Sequence, residues 1–407
     1  MGSTIDNAVP TAAPNAAPST QPGNAAQPAQ PAGGHAAFDY RRILQQMVQR
    51  NASDLHVKVG RPPTLRVDGA LVPLDMPLVR AEEVRSIAEQ TMTAKNMKEF
   101  AEAKECDYAV SVPGVGRFRV NAYQQRGTIA YAFRVVPFQA ATIGELHLPV
   151  ICEQIALAPR GLVLVTGITG SGKSTALAAM LQHINLNRFA NVITIEDPIE
   201  FLHRDVNSHI NQREVGTDTT TFAQALRRVL RQDPDVIQVG EIRDLETLDT
   251  ALQAADTGHL VFSTLHTTDA TQTINRILSF YPPHQAAEVR FMLSSALHAI
   301  VSLRLVPRKD GTGRVPAAEV LINTPAVRDN VRDITKSLNI PDLIREGMVQ
   351  YGMQSFDQSL MQWYTSGVIT YENAMAAATS PSEFALRVQG VAGASDTHWD
   401  AFTHAGV

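Results

Sequence analysis

Cysteine is nearly absent: the chain holds two, Cys106 and Cys152, with no CxxC pair. Four-ligand zinc modules are therefore excluded, a disulfide framework is not expected, and the two thiols read as idle side chains in a reducing compartment. Long apolar runs are missing too. No apolar stretch of about eighteen residues occurs, so no helical membrane span is expected. The N-terminus lacks the basic start and apolar core of a secretory signal, which predicts a cytoplasmic protein. Positive charge is not in excess either: 35 Lys and Arg against 40 Asp and Glu leave a net charge of −5. That balance gives no electrostatic case for a nucleic-acid partner. What remains is ordinary, 44% apolar and 18% charged over 407 residues, enough for two domains and a tail.

Residues 1–37 are rich in Ala, Pro, Gln and Asn and carry almost no large apolar group. Such a segment cannot bury enough surface to offset its ordering entropy and is expected to be disordered. Order begins near Phe38. Tyr40–Val48 places Ile43, Leu44, Met47 and Val48 on one helical face. Strand-like runs follow at Leu55–Val59, Thr64–Val67, Ala109–Val112, Arg117–Ala122 and Tyr131–Val136, set off by turn signals such as Asp68-Gly69 and Pro113-Gly114. Ala81–Phe100 reads as one helix. These elements predict a small α+β domain over residues 38–137, joined by a linker over 138–150.

From about residue 151 to 390 the pattern changes. Continuous apolar runs at Leu162–Thr166, Asn191–Ile195, Asp235–Val239 and Leu260–Thr264 alternate with amphipathic helices. This predicts an α/β domain around a parallel sheet buried on both faces. The C-terminal third reads as wholly helical. Thr324-Pro325 is a cap with proline at the first helical position, Ser355 opens a helix that stops near Gly367, and Ser380–Glu383 is a capping box. Residues 391–407 form a weakly patterned tail.

The chemistry is concentrated after the predicted strands. Gly167-Ile-Thr169-Gly170-Ser171-Gly172-Lys173-Ser174-Thr175 fits GxxxxGK[ST] and directly follows the run LVLVT. Glycines there let backbone N–H groups turn inward around phosphate, and a helix starting near Lys173 adds its positive end. Lys173 is expected to reach the β- and γ-phosphates of ATP, and Ser174 to offer its hydroxyl to Mg²⁺. The other strands also end in polar groups: Glu196-Asp197-Pro198-Ile199-Glu200, Gly240-Glu241, and Leu265-His266. In doubly wound sheets ligands bind beyond the carboxyl ends of the strands, so these groups and the glycine loop should share one site. Where the usual pattern has a magnesium-holding Asp this chain has Gly240, so Glu241 is assigned to magnesium through water. Glu200 is the leading candidate to orient the attacking water, with Glu196 and Asp197 as alternatives. His266 and His259 are candidates for a sensor at the γ end or for structural histidines. Arg117, Arg119, Arg126 and Arg134 read either as a solvated strand face or as arginine fingers reaching a neighbouring subunit.

These residues resemble the type II/IV secretion ATPase superfamily, and within it the branch that retracts type IV pili in twitching motility. The likeness is carried by residues 52–69, 116–122, 193–201, 230–244, 257–270, 321–333 and 352–360 and covers roughly residues 38–390. It implies a PAS-like N-terminal domain, a RecA-like ATPase domain, and a homohexamer with ATP between subunits. It also implies roles for Glu200 in the acidic box, Glu241 in the magnesium box and His259 with His266 in the histidine box. Arginines acting in trans would be Arg119, Arg126 and Arg134. The implied partners are an inner-membrane pilus platform protein and other pilus motor ATPases, which would place the chain at the inner membrane's cytoplasmic face. The family's C-terminal motif departs here to Ala326–Asp333. Extension and secretion relatives carry a four-cysteine insertion that this chain lacks, which favours retraction. An auxiliary retraction motor, a secretion ATPase and a RecA-like DNA translocase are the alternatives.

Overall fold

A computed structural model describes residues 38–390, apart from 139, 334, 337 and 338. The expected tails at 1–37 and 391–407 lie outside the described residues. The small domain holds six strands: β1 (Asp54–Lys58), β2 (Thr64–Val67), β3 (Ala70–Pro73), β4 (Glu105–Val112), β5 (Gly116–Gln125) and β6 (Thr128–Val136). They form one antiparallel sheet in the order β3-β2-β1-β6-β5-β4. Alternation explains its core: along β5 the residues Phe118, Val120 and Ala122 point inward while Arg117 and Arg119 lie on the other face. Helix Tyr40–Gln49 buries Ile43, Leu44 and Met47 against that core, with Val48 partly covered.

The second domain is a seven-stranded sheet. Its strands are β7 (Gly161–Thr166), β8 (Asn191–Glu196), β9 (His209–Glu214), β10 (Val236–Val239), β11 (Leu260–Leu265), β12 (Leu297–Pro307) and β13 (Arg314–Ile322). They run in the order β13-β12-β7-β11-β10-β8-β9, parallel except for the antiparallel pair β12 and β13. Every residue of β7, β10 and β11 is buried, as their unbroken apolar runs require. Two apolar clusters, one on each face of the sheet, make the core. The C-terminal helices add a smaller cluster around Phe356, Leu360 and Phe384.

Three expectations need correction. The C-terminal third is not wholly helical, because β12 and β13 lie within it. β12 follows helix Ala286–Ala296 with no Gly, Pro or Asn between them, and β13 carries Pro316 and the helix formers Ala317, Ala318 and Glu319. Pro316 is tolerated because β13 is an edge strand. Residues 81–100 do not form one helix. The helices are Ala81–Thr91 and Ala94–Ala103, broken where Thr93 turns extended and caps the second through Asn96 N–H. The capping box at Ser380 is not made: Ser380 stands at the N-cap with no side-chain hydrogen bond. Asp357 takes the N–H groups of Thr379 and Ser380 instead, at 2.8 and 3.3 Å. Part of the linker over 138–150 packs on the ATPase domain. Ile143 and Leu148 are built into the ATPase-domain core, and the His147 ring packs edge-on against Trp363, 5.9 Å between centroids.

Candidate active site

The glycine loop closes where β7 ends. Gly167 has φ +143°, and a Cβ there would collide with Ser171 Oγ and lie 2.6 Å from the Leu303 carbonyl oxygen. Gly170 and Gly172 also take positive φ, +79° and +95°. Helix Lys173–Asn187 starts at once, so its free N–H groups open onto the loop. Lys173 folds back over the loop, donating to the carbonyls of Gly167 at 2.8 Å and Ile168 at 3.0 Å. Burial pulls its ammonium below the usual lysine range, while the carboxylates of Glu241 and Glu200 act in the opposite sense. Gly167→Ala is expected to cost about 1–3 kcal/mol of stability, read as a lower unfolding midpoint together with weakened ATP binding.

Beyond the loop lies a cleft of about 500 Å³. The glycine-loop residues Thr169, Gly170, Gly172, Lys173, Ser174 and Thr175 form one wall, and the acids Glu196, Asp197, Glu200 and Glu241 with His266 form the other. The predicted convergence of strand ends is therefore present. Glu196 is committed to structure: it accepts from Thr194 Oγ1 at 2.6 Å and Gln212 Nε2 at 3.0 Å, and burial raises its pKa. Glu200 is half exposed, and Arg119 Nη1 from the small domain stands 4.0 Å from its Oε1. Glu241 receives His266 Nε2 at 3.1 Å and pairs with Arg243. Gly240 has a steric reason: a Cβ would lie 3.2 Å from the Ile195 carbonyl oxygen and 3.4 Å from the Phe222 ring. Glu241 is thus the first residue after β10 that can offer a carboxylate.

A glycine cradle with a buried lysine, a hydroxyl at Ser174 and a carboxylate at Glu241 is a donor set suited to a magnesium–triphosphate. The sequence profile described as Type II/IV secretion system protein matches residues 37–338. The chain belongs to that family. It is 44% identical over 347 residues to the type IV pilus retraction ATPase PilT of Pseudomonas aeruginosa, covering 85% of this chain and 100% of that protein. It is 42% identical over 352 residues to the type IV pilus ATPase PilU of the same organism, covering 86% and 92%. A crystal structure of the pilus retraction motor PilT with bound ADP superposes with a TM-score of 0.78 at 44% identity, covering 85% of this chain and 98% of that one. Family, fold and cleft together make this chain a P-loop ATPase.

Not every residue singled out in this secretion-family chain reaches the cleft. Gly167 and Ser171 belong to the loop but do not line the cleft, and Ser171 is buried. His259 precedes β11 and binds the Ala254 carbonyl through Nδ1 at 2.9 Å. It sits at the opposite end of the strand from His266, about 20 Å away at strand rise. His266→Ala is accordingly expected to lower kcat about tenfold, and His259→Ala to leave it within about twofold; steady-state ATPase assays of the two variants compare them. Arg134 is held by Asp54 at 2.8 Å, and Arg126 is exposed at the turn between β5 and β6. Gln238, Thr264, His203 and Arg314 line the cleft without having been anticipated. Gln238 carried a signal, being the polar interruption of the run DVIQV; its Oε1 is buried and has no partner. Burial pushes His203 down to about 4, so a neutral ring faces the site. Arg314 gave none, since β13 alone brings it there.

Proposed function

We infer that the chain hydrolyses Mg-ATP in this cleft and that, as a homohexamer, it drives retraction of type IV pili. The observation that carries the reading is the meeting of Lys173, Glu200, Glu241 and His266 in one cleft, with Arg119 of the small domain opposite Glu200. Lys173 and the loop N–H groups hold the β- and γ-phosphates, while the Ser174 hydroxyl, and Glu241 through water, would hold Mg²⁺. When bound there, Mg²⁺ would supply charge neutralisation at the phosphate oxygens. Glu200 orients the attacking water and Arg119 offsets charge on the phosphoryl group as it transfers. Arg119 reaches Glu200 of its own chain; the exposure of Arg126 at the β5–β6 turn supports a role for it toward a neighbouring subunit.

Work follows from differential affinity: ATP, ADP and the empty site favour different seatings of the small domain, and only such a difference shifts conformation. The joint lies between the end of β6 and the buried Ile143, where the small domain leaves the ATPase core. A ring passing through these seatings in turn would displace a membrane-embedded platform protein from the cytoplasmic side. No helix among the described residues is long and apolar enough to cross a membrane, so the membrane side of the machine is assigned to that partner.

Deletion of the gene in its host, with pilus number and surface motility scored together, tests the output. Hyperpiliated, non-motile cells support retraction, and bald cells point to extension. Near-equal identity to PilT and PilU supports an auxiliary motor as a second reading, in which case deletion leaves retraction largely in place.

A further inference from the structure

Strand β5 carries two arginines two positions apart, and so on one face: Arg117 and Arg119. Arg119 stands opposite Glu200. Arg117 goes to a different carboxylate. Its Nη2 is 3.0 Å from Oε2 of Glu214, at the end of β9 in the ATPase domain, and the two side chains are only 18% and 5% exposed. The same Oε2 accepts the backbone N–H of Ile199 at 3.1 Å. Ile199 immediately precedes Glu200 in the acidic loop. One buried carboxylate oxygen therefore joins a small-domain cation to the loop that carries the candidate water-orienting acid.

The rest of Glu214 is fixed. Its residue pairs in register with Glu196 across β8 and β9, its N–H donates to Asp218 Oδ2 at 2.8 Å, and Thr217 Oγ1 donates to its Oε1 at 3.3 Å. A second tie between the domains lies alongside, where Lys95 Nζ donates to the Gly216 carbonyl at 3.1 Å. Neither Arg117 nor Glu214 lines the cleft, so changing either removes no contact to nucleotide. A buried carboxylate stripped of its cation is strongly disfavoured. The seated small domain and the loop arrangement that brings Ile199 N–H to Glu214 therefore favour each other.

We propose that Glu214 is a positioning residue for Glu200, through which seating of the small domain sets the acidic loop for hydrolysis. The inference rests on the ATPase reading of the cleft. With Arg117 in place, Glu214 holds Ile199, and Glu200 faces both the cleft and Arg119. When the small domain lifts away, Glu214 loses its cation and turns toward water, and the loop is released. ATP bound under an unseated domain then waits, and turnover is tied to the stroke.

The test uses the full chain and three substitutions. Glu214→Gln keeps a carbonyl acceptor for Ile199 but no charge for Arg117; Arg117→Gln removes the cation; Arg117→Lys retains it. Each of the two glutamine variants is expected to lose about tenfold in kcat, as small misplacements of a reacting group do, with KM for Mg-ATP within about twofold. The double variant should be no slower than the slower single one, because both break one link. Arg117→Lys should recover most of the rate. Unfolding midpoints and binding of a fluorescent ATP analogue, measured on each, separate misfolding from misplacement; if Glu214→Gln fails to fold, the Arg117 pair decides. Parental kcat in a folded Glu214→Gln or Arg117→Gln variant overturns the positioning role, as do losses that multiply in the double variant. A parent chain without any turnover refutes the ATPase reading itself.

Discussion

Glu200→Gln lowers kcat about 100-fold or more while ATP still binds with near-parental affinity. Glutamine preserves the shape and the acceptor oxygen but cannot take a proton or hold a water by charge. Glu200 is half exposed on the cleft wall, where its carboxylate pairs only loosely with Arg119 at 4.0 Å. Stability should therefore be unchanged, and the effect should fall on kcat alone, which marks an interaction made during the chemical step. Glu196→Gln provides the contrast. Its carboxyl is buried among Thr194, Gln212 and the loop backbone, so its loss acts by loosening that loop and lowering the unfolding midpoint. Steady-state ATPase rates, analogue titration and thermal unfolding on both variants separate the two acids.

Lys173→Ala removes binding and turnover together. Lys173 is the one cation built into the loop wall of the cleft, and its ammonium lies within hydrogen-bond reach of the Gly167 and Ile168 carbonyls. Burial has already weakened its hold on the proton, and Glu241 and Glu200 act to restore it. A triphosphate would add a stronger field of the same sign, so the lysine should be fully charged in the complex. Deleting it leaves phosphate charge uncompensated at the β and γ positions. About a 100- to 1,000-fold fall in kcat is expected, with analogue binding weakened as well. Folding should survive, because the alanine loses only two hydrogen bonds to carbonyls of the loop itself. Loss of kcat with intact binding would instead limit the lysine's role to the chemical step.

Much of this site could be read before any coordinates because its parts sit at fixed offsets from strands. Thr166 ends β7 and the glycine loop follows; Val239 ends β10 and Glu241 follows; Leu265 ends β11 and His266 follows. A parallel sheet brings such ends together whatever the helices between them do. What stayed hidden depended on partners distant in sequence. Arg314 enters the cleft because β13 folds back beside β12, and β13 itself looked helical through its Ala-Ala-Glu segment. β9 was missed because HINQRE is polar and lies at the sheet edge, where only Glu214 is buried. Its importance comes from Arg117, nearly a hundred residues earlier. His259 was left between a sensor and a structural histidine. The extended β11 separates it from His266, and its ring holds the Ala254 carbonyl.

The most direct test is an experimental structure of the full chain with Mg²⁺ and a non-hydrolysable ATP analogue. The triphosphate should lie along Gly170–Thr175 with Lys173 turned onto it. Glu200 should stand one water away from the γ-phosphorus, with Arg119 on the same side. A γ-phosphate facing some other part of the molecule, with Glu200 and Glu241 out of reach of it and of the metal, would contradict the account.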